Sequence, residues 1–478
     1  MDGDPVEIAK SELKKLTCFI KALHQSSDKN EPPTTHFYFR PKKSGWYTNI
    51  PINLTCEKNG SNIFTFKTNH KYHHLNYTLL NQEFPRIEVV PEFKGKVEIC
   101  WPHNLGWSAI IVRKTLIFDG VPAQSFDNIT LDIIAQNFLR RPSERAYFNK
   151  MIGNIPFLQE WSDVLPSYVT NAPQPFYYEE DEATSVPICL SKSRMTIRCE
   201  MRNKIKDLLR MRVRNKLENG WSEWKEINFN PVYIKGMKMD DVLPDPSITG
   251  KCSYITSGER TYLQDEQKKD GIFFYIPDVI EHNTSNPVKL GQTVDIDLHT
   301  STPCISMHYV AQNLKAKSKN NYANYTTNAE NLFKGWNPIQ DRTLKYAIDV
   351  KLPNTNENLL RYEHWYHMRS CPTEEGYGVY SFANNPKCLN ITQSGVVLDD
   401  LKAKLSLTLG DTNPFKGYSE DINELKKNDG ELIPREIDPN YDEKDKENEQ
   451  EYMVHVRLFV IQKLQFTESK CEIIKCVD

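Results

Sequence analysis

No run of about 18 apolar residues occurs in this 478-residue chain, so no membrane-spanning helix is expected. No Cys-x-x-Cys occurs among the 11 cysteines. Their number is odd and their spacing irregular, which argues against a disulfide framework and against a zinc ribbon. Reduced thiols in a cytosolic or nuclear compartment are the simplest account. There is no Gly-x-Ser-x-Gly, no P-loop and no dinucleotide fingerprint. The hydrophobic fraction, 39%, is low for a compact enzyme, and glycine (20) is scarcer than proline (28). Charge is almost balanced, 60 Lys/Arg against 63 Asp/Glu, so nothing in it points to nucleic-acid binding by the chain as a whole. The N-terminus is charged from Asp2 onward and lacks the apolar core of a signal peptide. The Asn-x-Ser/Thr triplets at Asn53, Asn59, Asn76, Asn128, Asn283, Asn324 and Asn390 are therefore expected to carry no glycan.

Aromatics are plentiful, at 11%. With many prolines, they suit short strands joined by long ordered loops. Residues 4–26 read as a helix: Asp4 caps, Pro5 suits the first turn, and Glu7 completes a capping box. Val6, Ala9, Leu13, Leu16, Ile20 and Leu23 then form a heptad-like stripe, which must bury itself against the domain base or a neighbouring subunit. Residues 26–33 read as a linker. From Thr34 the pattern is β, with strands in "NIFTFKT", "RIEVV", "KVEIC" and "SAIIVRKTLIF" and a tight turn at "DGVPAQ". "SERAYFNKMIG" and "SGERTYLQDEQ" read as short helices. A second β block follows, with "FFYIPDVI", "TVDIDLH", "CISMHYVAQ", "TLKYAIDVKL" and "YMVHVRLFVIQKLQF". Between them, residues 376–409 read as a hairpin-like unit that ends in an alternating strand, Leu401, Ala403, Leu405, Leu407 and Leu409. Two β blocks imply two sandwiches. The charge is polarised: Lys192–Lys216 holds ten Lys/Arg against two acids, and Asp411–Glu451 holds fourteen acids against six bases. Such poles can orient a subunit in an assembly, although two solvated faces give the same pattern.

Candidate chemistry is sparse. His70, His73 and His74 cluster, and His364 and His367 have the i, i+3 spacing of metal ligands on a helix. The latter pair sits in "YEHWYHM", which reads as strand or loop, so structural or loop histidines are expected. Asp295 and Asp297 share one face of a strand near His299 and resemble the Asp-x-Asp metal site of sugar transferases, without the surrounding α/β pattern. Cys304 and Cys371 have no nucleophile context. Arg194–Arg214 holds arginines on alternating positions among Met, Leu and Val, without the aromatics that stack on bases, so an inter-subunit or membrane-facing role fits at least as well as nucleic acid. Trp221 and Trp224 read as a packing pair after the turn "ENGW".

Three segments together resemble the double jelly-roll major capsid proteins of nucleocytoplasmic large DNA viruses. The first is "KVEICWPHNLGWSAIIVRKTLIFDGVPAQSFDNITLDIIAQNF", where Asp119 and Gly120 stand at a Gly-Gly turn of the family. The second is "VDIDLHTSTPCISMHYVAQN", with a proline-containing corner at His299–Pro303 and Gln312 in the expected place. The third holds Tyr380-Ser381-Phe382-Ala383, Pro386 and Gln393-Ser394-Gly395. The closing strand "EYMVHVRLFVIQKLQF" is similar as well.

The resemblance implies an all-β chain of two consecutive eight-stranded jelly-roll β-sandwiches with an N-terminal amphipathic helix. Residues 1–33 would be helix and linker, 34–262 the first jelly roll, and 263–478 the second, with an acidic loop at 410–450. It implies a structural capsid protein of the virion, present in host cytoplasm during assembly, and not an enzyme. Its homotrimers would be pseudo-hexagonal capsomers tiling an icosahedral shell. Their partners would be neighbouring capsomers, minor capsid proteins and the inner viral membrane, with no cofactor and no sequence-specific nucleic acid. A transient membrane-shaping scaffold is the alternative within this class. Outside it stands a metal-dependent carbohydrate-binding or carbohydrate-modifying sandwich enzyme, resting on Asp295, Asp297 and the histidines. The structural and interface residues expected to matter are Leu13, Leu16, Ile20, Trp101, Trp107, Phe118, Gly120, Tyr380, Phe382 and Gly395.

Overall fold

Twelve strands fill the first half of the chain: β1 (Thr48–Asn53), β2 (Thr55–Lys58), β3 (Ile63–Lys67), β4 (His74–Phe84), β5 (Val97–Cys100), β6 (Ile111–Phe118), β7 (Val121–Asp127), β8 (Tyr168–Pro173), β9 (Thr196–Met201), β10 (Arg210–Val213), β11 (Lys225–Ile227) and β12 (Ser247–Tyr254), with minor two-residue strands besides. The computed structural model describes residues 48–69, 71–138, 142–179, 185–190, 195–217, 220–269, 271–345, 364–368, 372–383, 386, 395–410, 450–468 and 471–475. The expected helix over 4–26, with Leu13, Leu16 and Ile20, lies outside these residues, as does almost all of the acidic loop 410–450.

One sheet runs β1-β12-β4-β8 and a second runs β2-β3-β9-β6-β7, while β11-β10-β5 form a small third sheet. Neighbours distant in sequence, such as β12 on β4 and β9 between β3 and β6, require the long crossing connections of Greek-key sandwiches. Period-two alternation sets the inner faces. Ile197, Cys199 and Met201 of β9 point inward, and so do Phe64 and Phe66 of β3. On β4 the inward set changes phase between Leu75 and Thr78, beside a bulge at Lys251–Cys252 in the paired strand. Asp119 (φ 50°) and Gly120 (φ 82°) make the two-residue turn between β6 and β7, the left-handed pair that a tight hairpin needs.

The helix α1 (Asn128–Asn137) follows β7, and α2 (Pro142–Ile152) covers the expected "SERAYFNKMIG" helix. The other expected helix is α3 (Ser257–Lys269), which leads from β12 into the second half.

There, β13 (Ile272–Asn283), β14 (Thr293–Asp297), β15 (Cys304–Asn313), β16 (Ile339–Lys345), β17 (Gly378–Ser381), β18 (Lys404–Leu409), β19 (Glu451–Phe466) and β20 (Cys471–Lys475) form two facing sheets. The larger is β13-β19-β15-β17, with β20 and the short Val288–Lys289 also on β19; the smaller is β14-β18-β16. Tyr452, Val454, Val456, Leu458 and Val460 of β19 meet Ile296, Leu344, Leu405, Leu407 and Leu409 across the second core. Strands of one half pair only with strands of the same half among the described residues.

The unit at 376–409 is not a hairpin. Its first strand, β17, pairs with β15, whereas β18 pairs with β14 and β16 in the opposite sheet. The stretch therefore crosses from one sheet to the other. Its alternation also starts later than expected: Leu401 ends a helical turn, Lys402 is left-handed (φ 47°), and the strand begins at Lys404.

Candidate functional site

All ten residues of β15 are buried, which a sheet with one wet face does not produce. Met307, Tyr309 and Ala311 enter the second core, while Ile305 and Val310 enter the first. The outer face of the larger second-half sheet is thus covered by the first sandwich. Phe118 meets Phe466 at 5.2 Å between ring centroids, Phe138 meets Phe459 at 5.0 Å, and Tyr177 meets Phe274 at 5.6 Å. The aromatics glue the seam without fixing direction.

Direction comes from α1, which lies in the seam. Its residues Ile129, Thr130, Leu131, Asp132, Ile133, Ala135, Gln136 and Asn137 are all buried, so its polar side chains must find partners. At the N-terminus, the Asp127 carboxylate caps the helix, accepting from Thr130 N at 2.8 Å and Thr130 Oγ1 at 2.6 Å. Arg457 Nη2 of β19 donates to the same carboxylate at 2.5 Å. Burial alone would raise the Asp127 carboxyl; Arg457 and Thr130 outweigh burial and hold it below its ordinary value.

In the middle of α1, Asp132 accepts from Tyr325 Oη of the second half at 2.6 Å, from Asn104 Nδ2 at 2.6 Å and from Ser108 Oγ. Burial nevertheless pushes this carboxyl up to about 6. At the C-terminal end, Asn137 meets His308 Nδ1 of β15 at 2.9 Å. The cap, the middle and the end of one helix are therefore tied to three separate segments of the other sandwich. Three further bonds lie beside them: Arg113 clasps Glu281 through Nη1 and Nη2, at 2.8 and 3.0 Å, and Gln124 Nε2 donates to Pro277 O at 2.6 Å. A second buried chain joins His103 to Glu374 at 2.5 Å and to Gln159 at 3.0 Å. Burial opposes the protonation of His103, and Glu374 overcomes it, so the imidazole pKa lies above its ordinary value.

Several expected residues stand in or beside this seam. Trp107 is buried and donates Nε1–H to Leu131 O of α1 at 2.6 Å. Phe118 is one of the seam rings, and Gly120 forms the turn described above. Trp101 is buried against Phe84 in the first core. Tyr380 and Phe382 touch at 5.1 Å and pack against the second core. At Gly395 a Cβ would stand 2.7 Å from the Pro303 Cβ, so the corner at Pro303 needs a residue without one. Sequence reasoning missed Asp127, Asp132, Tyr325 and Arg457. Two of them carried a signal: Asp132 interrupts the apolar helix "ITLDII", and Arg457 interrupts the apolar strand "VHVRLFV".

Asp295, Asp297, His364 and Cys304 stand among partners of other kinds. Asp295 and Asp297 do share a face, but Lys404 stands 3.8 and 3.5 Å from them, and Ser406 Oγ donates to Asp295 at 2.6 Å. They line a polar cleft of about 820 Å³. His364–Met368 is a helical turn rather than strand or loop, and His364 is buried with Nε2 at 3.1 Å from Tyr377 O. No cluster of three metal-ligating side chains occurs among the described residues. The Cys304 thiol is buried and its pKa raised by burial. Cys371 and His70 lie outside the described residues. The arginine strand does have aromatic partners, contrary to expectation, because they arrive from other segments. Arg212 lies between Trp161 (4.7 Å) and Trp224 (4.5 Å), and Arg214 between Trp224 (4.4 Å) and Trp221 (4.6 Å). Glu98 pairs Arg212 at 2.5 Å, and Glu226 pairs Arg210. Arg210, Arg212 and Arg214 thus form a cation–π ladder with Trp161, Trp221 and Trp224.

No family model matches the chain. Curated relatives do. The major capsid protein of Frog virus 3 (isolate Goorha) is 23% identical over 403 residues, covering 76% of this chain and 79% of that protein. The major capsid protein of Invertebrate iridescent virus 6 is 25% identical over 167 residues, covering 32% of this chain and 35% of that protein. Among solved structures, VP54 of PBCV-1 superposes with a TM-score of 0.64 at 11% identity, covering 93% of this chain and all of VP54. The Faustovirus major capsid protein gives a TM-score of 0.63 at 8% identity, covering 98% of this chain and all of its own. Two antiparallel sandwiches, an ordered set of matching segments and these likenesses converge: the chain has the double jelly-roll fold and is similar to the major capsid proteins of large DNA viruses.

Proposed function

We propose that three copies of this capsid protein close into a ring that presents six sandwiches, a pseudo-hexagonal capsomer, and that such capsomers tile an icosahedral shell. The observation that carries this reading is the seam. One chain holds two similar sandwiches side by side and locks them through a buried polar helix, which is what a rigid one-third of a six-sided block requires. In this reading the first jelly roll spans 34–262 and the second 263–478, each eight-stranded at heart, with the surplus short strands belonging to loops. The ring contacts are heterologous and are closed by threefold symmetry. The stripe through Leu13, Leu16 and Ile20 covers the base of the block or a neighbouring subunit. The acidic loop 410–450 projects outward or covers an interface, and the partners are neighbouring capsomers, minor capsid proteins and the inner viral membrane.

Light scattering on the purified protein tests the stoichiometry. Three copies of a 55.6 kDa chain weigh about 167 kDa. A stable species at that mass, with six-lobed outlines in electron micrographs, is the expected result. A monomer or dimer at every concentration and salt would overturn the ring.

A further inference from the structure

Arg457 is 1% exposed, and its guanidinium is held twice over. On its own sandwich, Nη1 donates to Asn283 Oδ1 and to Val456 O, both at 2.9 Å. These bonds fix the plane of the group and leave its other edge facing the first sandwich. There Nη2 meets Asp127 Oδ2 at 2.5 Å, and Nε meets Oδ1 at 3.4 Å. Asp127 is oriented as well, because Thr130 N and Oγ1 hold its carboxylate as the cap of α1. Both partners are thus pre-set on rigid elements, one in each sandwich. A planar fork facing a fixed carboxylate tolerates little rotation.

A buried ion pair of this kind adds little net stability over a well-packed apolar pair. The surrounding rings, Phe118 with Phe466 and Phe138 with Phe459, could supply cohesion at several angles. What an aromatic seam lacks is a single angle, and setting register is the best-attested use of a buried polar contact. We propose that Arg457 is a positioning residue: its contact with Asp127, added to the Asp132–Tyr325 and Asn137–His308 bonds along the same helix, narrows the angle between the two sandwiches to one value, and lattice assembly depends on that angle. The lattice half of this statement rests on the capsomer reading above; the angle does not.

The test uses the full-length protein and the double variant D127S/R457M, in which serine keeps a cap for α1 and methionine fills the arginine's volume. R457K, which keeps the charge and loses the fork, is the second variant. Spin labels on non-natural residues at the exposed positions Glu57 and Asp297, one on each sandwich, report the distance distribution by pulsed electron resonance. For both variants the distribution is expected to broaden about two-fold, with the melting temperature close to wild type. The yield of ordered lattice is expected to fall about ten-fold. A distribution as narrow as wild type in R457K would overturn the proposal. So would a double variant that melts far below wild type, because the pair would then be a stability element. Lattice yield at the wild-type level with a broadened distribution would overturn the dependence of assembly on the angle. If wild type itself forms neither ring nor lattice, the capsomer reading fails, while the distance distributions still decide the role of Arg457.

Discussion

Asp132 sets two physical effects against each other, and the winner can be measured. The residue is fully buried, which disfavours its charged form. It also accepts from three donors, Tyr325, Asn104 and Ser108, and three donors can pull a carboxyl below its ordinary range. Burial wins, and the carboxyl stands at about 6, against 3.8 for an ordinary aspartate. The ionised form is therefore disfavoured by roughly 3 kcal/mol. A carboxyl raised in the folded state contributes stability that is full below the unfolded value, near 3.8, and is lost as the pH rises through about 6. Between about pH 8 and about pH 5, linkage makes roughly 1.4 kcal/mol of this available. Other groups titrate in the same window: burial lowers His74 to about 4 and raises Asp278 to about 6. A single melt cannot separate them, but Asp132→Asn removes one titration and leaves the rest. Urea midpoints of wild type and variant, each at both pH values, give a double difference in which the other groups cancel. Wild type is expected to gain about 1.4 kcal/mol on the variant upon acidification. A double difference of zero, or of opposite sign, would refute the reasoning: the three donors would then outweigh burial.

At Gly395, the valine variant places a Cβ 2.7 Å from the Pro303 Cβ; a loss of about 1–3 kcal/mol is expected in chemical denaturation, and an unchanged midpoint would show that this corner is loose. Trp224 separates Arg212 from Arg214 at 4.5 and 4.4 Å. A double-mutant cycle between Trp224→Ala and Arg214→Ala should give a coupling of about 0.5–1 kcal/mol. A coupling near zero would mean that the ladder is geometric coincidence.

Much of the architecture was legible in the sequence because strands with one buried face alternate. "TIRCEM" carries its buried set at Ile197, Cys199 and Met201 in plain view. The turn at Asp119–Gly120 was legible for a local reason, since left-handed backbone restricts residue choice. The seam was not legible. β15 reads as a nearly continuous buried run, and periodicity cannot say which neighbour covers each face. The arginine strand misled for the opposite reason: its aromatic partners Trp161, Trp221 and Trp224 lie outside the stretch 194–214, so a local window shows charge without the rings that cover it. The two sheets of the 376–409 unit were hidden in the same way. Alternation identifies a strand, but partner choice is set by contacts more than 60 residues away, with β17 on β15 at 304–313 and β18 on β14 at 293–297.

A division of labour emerges from the placement of polar groups. The second core, between β19 and β18, is almost wholly aliphatic; such a core is cohesive and tolerant of small rearrangements. The seam holds Asp127, Asp132, Asn137, His308 and Arg457, all buried. Each of these costs desolvation that a leucine would not, so cohesion alone does not account for them. They account for direction. Hydrogen bonds break when two bodies rotate by a few tens of degrees, whereas ring contacts re-form elsewhere. A sandwich needs only to fold, and an apolar core suffices for that. A building block must also repeat the same angle in every copy, and in this chain the directional chemistry sits where that angle is set.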